Sequence, residues 1–463
     1  MTAPQPDARG ARPGLDPVEH WTSLLRPDVE LSERFWVELS GRMRDAKLSF
    51  GERPLCPFLR PFFLDEADEA RVRRVAETMA ALGEKVAEAA MSSPSLMQQV
   101  RLTGEEERLA RIEPGYARAS TASRLDAFIL PDSFKFAEYN AESPAGLAYS
   151  ENLARIFDGL DVMARFRERF EARSYDLSSA ILDALLESYR EWGGTASPPT
   201  VLITDWREVP TWTEFEILRD RFIARGVPTV VADPRDLVFD GTTLTAEGRA
   251  IDLVYRRVLI SDIIARPTEC QSLMRAYAGG RICMANTLRC KIPHKKAFFA
   301  VLTDDRNHAL FSSEEREVIH HHVPWTRVLE DTRTTFQGET IELLPFIRRR
   351  RDHFVVKPND EYGGTGVLLG WEATADDWDA AIDRAVRDAG HAWVVQERIP
   401  IRRERFPVVD APHRVELRDM LVDFAPYLFR GKPCGYLTRL SSSGLANVTS
   451  GGGQVASFVV RAK

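Results

Sequence analysis

Arg124-Leu125-Asp126-Ala127-Phe128-Ile129-Leu130, followed after Pro131-Asp132-Ser133 by Phe134-Lys135-Phe136-Ala137-Glu138-Tyr139-Asn140, is the stretch from which the fold of this chain can be read. Two apolar-polar alternating runs around a turn-forming tripeptide predict a β-hairpin. Pairing Leu130 with Phe134 sets Phe128 opposite Phe136, Asp126 opposite Glu138 and Arg124 opposite Asn140. Side chains alternate with period two, so Arg124, Asp126, Glu138 and Asn140 share one face. Directly opposed carboxylates repel, and a divalent cation would remove that repulsion. Asp, Glu and Asn offer only hard oxygen donors, which suits Mg2+, with Mn2+ as a second choice, rather than zinc. The plainer alternative is a solvated hairpin face.

Upstream, residues 1–16 are rich in Pro, Ala, Gly and Arg and predict a disordered tail. Residues 17–110 predict a mainly helical region. Within it Val72, Val75, Met79, Leu82 and Val86 fall at helical spacing between about Leu64 and Met91. The hairpin and a helical stretch over Leu147–Tyr189 make up residues 111–195, and Pro198-Pro199 marks a boundary. Strands at Val201–Ile203, Thr229–Val231 and Asp252–Leu259 alternate with a helix on Phe215, Leu218 and Phe222 that Gly226 ends. That alternation predicts a parallel, Rossmann-like α/β layer over residues 196–290, on the substrate side of a shared cleft. Residues 291–463 carry strands at Phe354–Lys357, Gly366–Leu369 and Trp393–Glu397, a helix at Asp376–Ala389, and final strands broken by a glycine-rich loop. The fold class is therefore α/β of the mixed α+β kind.

Four other constellations bear on chemistry. Phe354-Val355-Val356-Lys357 runs into a turn containing Gly363, Gly364 and Gly366. Glycines let backbone N–H groups approach phosphate oxygens, and a lysine adds a point charge; a glycine hairpin is the bland alternative. Val395-Gln396-Glu397 ends an apolar strand with polar groups that could meet a nucleotide. Lys295 and Lys296 open an apolar helix, where cations are poorly placed unless an anion lies beside them. Arg439 precedes the loop Asn447-Val448-Thr449-Ser450-Gly451-Gly452-Gly453, a pairing suited to carboxylate or phosphate recognition. His320-His321-His322 reads as a helix end, since adjacent residues rarely converge on one ion.

Together these segments resemble the circularly permuted ATP-grasp family: the synthetase domain of glutathionylspermidine synthetase and, more closely, the bacterial type 2 branch. Phe136-Ala137-Glu138-Tyr139-Asn140-Ala141-Glu142-Ser143-Pro144 is similar to the family's E-Y-N-x-D/E-x-P signature, with Asp126 twelve residues before Glu138. The resemblance runs from about Tyr116 to the C-terminus, through Asp252–Arg257, Lys296, Phe354–Gly366, Val395–Glu397 and Leu437–Gly453. It implies a circularly permuted ATP-grasp fold, with Asp126, Glu138 and Asn140 holding magnesium. By the same resemblance Lys296 and Lys357 contact ATP phosphates, Gly363, Gly364 and Gly366 cover them, and Gln396 and Glu397 lie near adenine and ribose. Arg124, with Arg256 or Arg439, would face the transferring phosphoryl group. The expected activity is an ATP-dependent carboxylate–amine ligase acting on small-molecule or peptide substrates through an acyl phosphate. Its rivals are a phosphotransferase using the same ATP site and a nucleotide-binding scaffold without turnover.

Composition narrows the partners. A formal net charge of -7 lacks the basic excess that a nucleic-acid face requires, so none is expected. No 18-residue apolar run occurs, so no membrane span is expected. Cys56, Cys270, Cys283, Cys290 and Cys434 form no C-x-x-C pair, and scattered free thiols suit a cytoplasmic setting.

Overall fold

A computed structural model describes residues 16–25, 29–50, 53–130, 133–361, 363–410, 414–443 and 452–463. The expected tail (apart from Asp16), the turn at Pro131-Asp132 and the loop from Asn447 to Gly451 lie outside the described residues.

The N-terminal region begins with helices α1 (Pro17–Leu25) and α2 (Val29–Asp45), then strand β1 (Phe62–Asp65) and helix α3 (Glu66–Ser92). Asp65 caps α3 by accepting the Asp68 N–H at 2.7 Å, and Glu66, Asp68 and Glu69 put negative charge on its first turn. Val72, Val75, Met79, Leu82 and Val86 are buried, as their spacing predicts. Helices α4 (Pro94–Val100) and α5 (Gly104–Ala110) follow. The hairpin comprises β2 (Ala122–Ile129) and β3 (Phe134–Asn140). Next come α6 (Leu147–Asp158), α7 (Asp161–Phe166), β4 (Phe170–Arg173) and α8 (Leu177–Glu191). The helical stretch expected over Leu147–Tyr189 is thus interrupted by a strand. The reason is non-local: β4 pairs antiparallel with the last strand of the chain, which also pairs parallel with β1.

The α/β layer consists of β5 (Val201–Thr204), α9 (Trp212–Ala224), β6 (Thr229–Ala232), β7 (Leu253–Arg256), α10 (Ile260–Ala265), α11 (Gln271–Ala278) and β8 (Cys283–Ala285). Its strands are all parallel, in the order β8-β7-β5-β6. Short helices α12 (Lys291–His294) and α13 (Ala297–Thr303) lead to α14 (Ser313–His322), β9 (Thr326–Val328) and α15 (Leu343–Arg349). Strands β10 (Phe354–Pro358) and β11 (Leu368–Leu369), helix α16 (Ala375–Arg387) and strand β12 (Trp393–Glu397) complete an antiparallel sheet ordered β9-β12-β10-β11. Its core is Phe354, Val356, Trp378, Ile382 and Val395, closed by α15 and α16.

The C-terminal strands are β13 (Arg403–Asp410), β14 (Arg414–Phe429), β15 (Lys432–Ser441), β16 (Gly453–Val455) and β17 (Ser457–Ala462). They join the hairpin in a sheet ordered β16-β15-β14-β2-β3 with β13 on β14, while β17 is the strand between β1 and β4. No helix among the described residues is long and apolar enough to cross a membrane. All five cysteines are free, four of them buried.

Candidate active site

The hairpin register places Asp126 opposite Glu138 and Arg124 opposite Asn140, as its sequence predicts. Toward the turn the prediction fails by one residue. Phe128 pairs with Lys135, not Phe136, and the Leu130 N–H reaches the Ser133 carbonyl at 2.8 Å. A β-bulge at Asp126/Ala127 absorbs the extra residue, so the polar face keeps the predicted pairs.

The two opposed acids are not left facing each other alone. Arg124 donates to Asp126 from Nε at 2.7 Å and from Nη2 at 3.2 Å, and Arg439 of β15 donates from Nη2 at 2.7 Å. Glu138 is paired with Lys296 at 3.0 Å. The repulsion that seemed to need a divalent cation is therefore already answered by side chains. Burial alone would raise the carboxyl pKa values. Arg124 and Arg439 instead hold Asp126 below its ordinary value, and Lys296 does the same for Glu138.

Lys357, half-buried on β10, donates to Gln396 Oε1 of β12 at 2.7 Å and lies 3.4 Å from the Ala137 carbonyl on the hairpin. Burial lowers its pKa to about 8, against the pull of Glu138. Lys296 Nζ also reaches the Glu361 carbonyl at 2.5 Å, at the foot of the glycine turn. Gly363, Gly364 and Gly366 have φ of 67°, 79° and 72°, where side chains are strained. A Cβ on Gly366 would meet Pro358 Cγ at 2.7 Å. Glu397, next to Gln396, acts on the Lys135 ammonium of β3, whose pKa burial lowers. The sheet of β9–β12 therefore closes directly over the hairpin.

Arg256 is the predicted residue the fold sets apart. It is wholly buried, 3.4 Å from Glu142 Oε1, and donates to the Val258 carbonyl at 2.6 Å. Glu142 also takes Lys291 at 2.8 Å, and Lys291 and Lys295 hold Asp360 at 2.7 and 2.9 Å. Lys295 completes this interior knot on Glu106 at 2.8 Å. Carboxylates thus accompany both lysines before α13, Glu106 and Asp360 at Lys295 and Glu138 at Lys296.

Two further residues carry no local signal in the sequence. Asp423 of β14 is 1 % exposed and accepts from Arg439 Nε at 2.5 Å. Burial and the nearby Asp126 push its pKa up. Asn286, after β8, accepts from the N–H groups of Thr121 and Ala122 at 2.7 and 2.8 Å. It donates to the carbonyls of Ala122, Ala141 and Glu142 at 2.6, 2.8 and 3.0 Å, so one amide locks both ends of the hairpin.

The donor set at Asp126, Glu138 and Asn140 fits magnesium. Asn140 Nδ2 is buried without a partner among the described residues, and an amide can turn its oxygen to that position. No three His, Cys, Asp or Glu side chains among the described residues form a metal cage. An ion here would take its remaining ligands from phosphate and water, as magnesium does.

The chain belongs to the circularly permuted ATP-grasp type 2 family, whose pattern matches residues 131–448. Membership carries the ATP-grasp fold and with it a binding site for ATP. At 22 % identity over 341 residues the chain is similar to a Frankia casuarinae protein named "Putative glutamate--cysteine ligase 2-2". Over 339 residues, also at 22 %, it is similar to the 2-3 protein of that name from Frankia alni. Each alignment takes in 70 % of this chain and 36 % of the relative, so the chain spans about a third of the length of the curated relatives it matches. In three dimensions it is similar to a glutathione synthetase-like effector from Globodera pallida, with a TM-score of 0.60 at 11 % identity. That likeness covers 94 % of this chain and 98 % of the other and is one of fold.

Proposed function

We propose that this chain is an ATP-dependent ligase that activates a carboxylate as an acyl phosphate and passes the acyl group to an amine. ADP and phosphate are the other products. The observation that carries this reading is one convergence: Asp126 and Glu138 on the hairpin meet Lys296 and Lys357 from two other segments. Lys296 and Lys357 would exchange their present partners for phosphate oxygens. Arg124 and Arg439, already aimed at Asp126, would steady the negative charge that develops as the substrate carboxylate attacks the γ-phosphorus. Gln396 and Glu397 would lie beside adenine and ribose. The turn at Gly363, Gly364 and Gly366 would cover the phosphates and keep water from the acyl phosphate. Bound at Asp126, Glu138 and Asn140, magnesium would neutralise charge on the β- and γ-phosphoryl oxygens. Arg256 would support Glu142 rather than touch substrate. The names of the Frankia relatives favour amino-acid substrates, small molecules or short peptides, for both the carboxylate and the amine.

The test is turnover of Mg-ATP with a panel of amino acids and short peptides, with nucleotides and products separated by chromatography. ADP, phosphate and an amide are expected. AMP and pyrophosphate would replace this reading with adenylation, a stable phosphorylated product with phosphotransfer, and ATP binding without turnover with a scaffold.

A further inference from the structure

The order β8-β7-β5-β6 has a consequence of its own. After β5 the chain moves to one side to make β6, then returns to the other side for β7 and β8. The crevice between β5 and β7 is thus the point where the connections part, and open parallel sheets bind ligands there, outside the carboxyl ends of the strands. The last paired residues are Thr204 and Arg256, so Asp205 and Arg257 are the next residues up on adjacent strands and point to the same side. Backbone hydrogen bonds from Arg257 and Val258 to the Thr204 carbonyl, at 2.9 and 3.1 Å, keep the two strand ends together.

Both residues are ionisable and almost wholly enclosed, Asp205 at 8 % exposure and Arg257 at 4 %. Each acts on the other electrostatically, yet Asp205 forms no ion pair with any described residue. The Asp205 hydrogen bond is to the Trp206 N–H at 2.8 Å. Burial pushes its carboxyl up to about 6, with that N–H and the Arg257 charge pulling the other way. The Arg257 guanidinium carbon lies 5.3 and 5.4 Å from the ring centres of Tyr255 and Phe215, and Nη1 donates to the Pro144 carbonyl at 2.6 Å and to the Tyr255 hydroxyl at 2.9 Å. Its Nε is buried and has no partner among the described residues. An enclosed acid with no ion pair among the described residues and an enclosed guanidinium with a spare donor both cost stability. A ligand bearing the two complementary charges would offset that cost.

One loop also ties these strand ends to the hairpin. Arg257 holds the Pro144 carbonyl and Arg124 holds that of Ala145, at 2.9 Å, so the two guanidinium groups grip successive residues of one loop. The cavity one strand over, about 260 Å³ and lined by Arg207, Trp212 and Asp233, is a weaker candidate. Arg207 and Asp233 there are already paired, with Asp236 and Arg235.

We propose that the carboxyl edge of β5 and β7 binds the zwitterionic head of an amino acid, or the amino-acid end of a peptide, Asp205 taking the ammonium and Arg257 the carboxylate. This rests on the ligase reading and names the class of one of its substrates. The bound molecule's remaining carboxylate or amine would extend along the 144–145 loop toward Arg124.

The test is calorimetry on the full chain, with free L-amino acids and glycine-containing dipeptides as probes, beside Mg-ATP. At least one probe should bind wild type saturably, and its N-acetyl and methyl-ester derivatives should not. Asp205→Asn should weaken that probe about tenfold or more, as loss of one charge-assisted contact does, and leave Mg-ATP affinity unchanged, which also reports a folded protein. Arg257→Lys, which keeps the charge but not the fork, should weaken the same probe. Failure of every amino acid and dipeptide to bind wild type, or equal affinity for wild type and both variants, overturns the subsite while Mg-ATP binding leaves the ligase reading standing. Probe binding without any Mg-ATP binding does the reverse.

Discussion

Two charge networks grow from neighbouring residues of this chain and have opposite characters. One is the interior knot, in which Glu106, Glu142 and Asp360 face Lys291, Lys295 and Arg256. The other is the cleft, in which Asp126, Glu138 and Asp423 face Arg124, Arg439, Lys296 and Lys357. The knot balances three acids against three cations. Its His294 is held toward the neutral form by burial and by Lys291. Among its named members the cleft has one cation more than acids, and Asp423 is shifted toward its protonated form, which enlarges the surplus. A balanced, enclosed network leaves nothing for an outside ion to neutralise. A network with surplus positive charge, and with an Asn140 Nδ2 that has no partner among the described residues, would suit the metal-bearing polyanion proposed above. Balance, not the number of charged residues, separates a structural cluster from a ligand site.

The sharpest way to break this comparison is to remove one member from each network and ask what is lost. Lys291→Met should strand Glu142 and Asp360 in the interior. It should cost about 3–5 kcal/mol of stability, since breaking a buried pair leaves an uncompensated charge. Urea unfolding measures it, and a loss below about 1 kcal/mol would mean that the knot is solvated after all. Asp126→Asn should instead act on chemistry. Turnover is expected to fall on the order of a hundredfold while the unfolding midpoint moves less than in Lys291→Met. Unchanged turnover would remove Asp126 from the site.

Smaller effects refine the cleft. Lys357→Ala should weaken Mg-ATP binding roughly tenfold, the size of one charge-assisted contact, with the fold retained. Calorimetry decides it, and equal affinities would place the phosphates elsewhere. The pH profile is finer still. Lys357 has its pKa lowered to about 8, so it is charged below that pH and loses its proton as pH rises through it. Mg-ATP affinity should then be flat between about pH 6 and 7.5 and decline above pH 8 by at most about tenfold per unit. The decline should vanish in Lys357→Met. Lys291 in the knot is shifted upward, held charged by Glu142 and Asp360 against its burial, and should contribute no such dependence over that range.

Much of the cleft was open to sequence reasoning because its centre is local. Asp126, Glu138, Arg124 and Asn140 meet within one hairpin, where period-two alternation alone sets the face. Even the bulge at Asp126/Ala127, which the alternation did not foresee, left those pairs intact. The strands of the α/β layer were legible for the same reason: each is a short apolar run bounded by turn residues. Strand β4 was not, because Phe170–Arg173 becomes a strand by pairing with β17 at the far end of the chain.

By itself, then, the sequence determined the hairpin, its polar face, the lysine-then-glycine turn and the α/β alternation, all set by contacts between residues close along the chain. Only the tertiary structure decided which of the adjacent Lys295 and Lys296 enters the knot and which the cleft. It alone put Arg439 on Asp126 across 313 residues, locked the hairpin with Asn286, and left Asp205 beside Arg257 without an ion-pair partner among the described residues. Those outcomes depend on which surfaces pack together, and charge compensation in a low-dielectric interior is settled by distance in space, which periodicity along the chain does not encode.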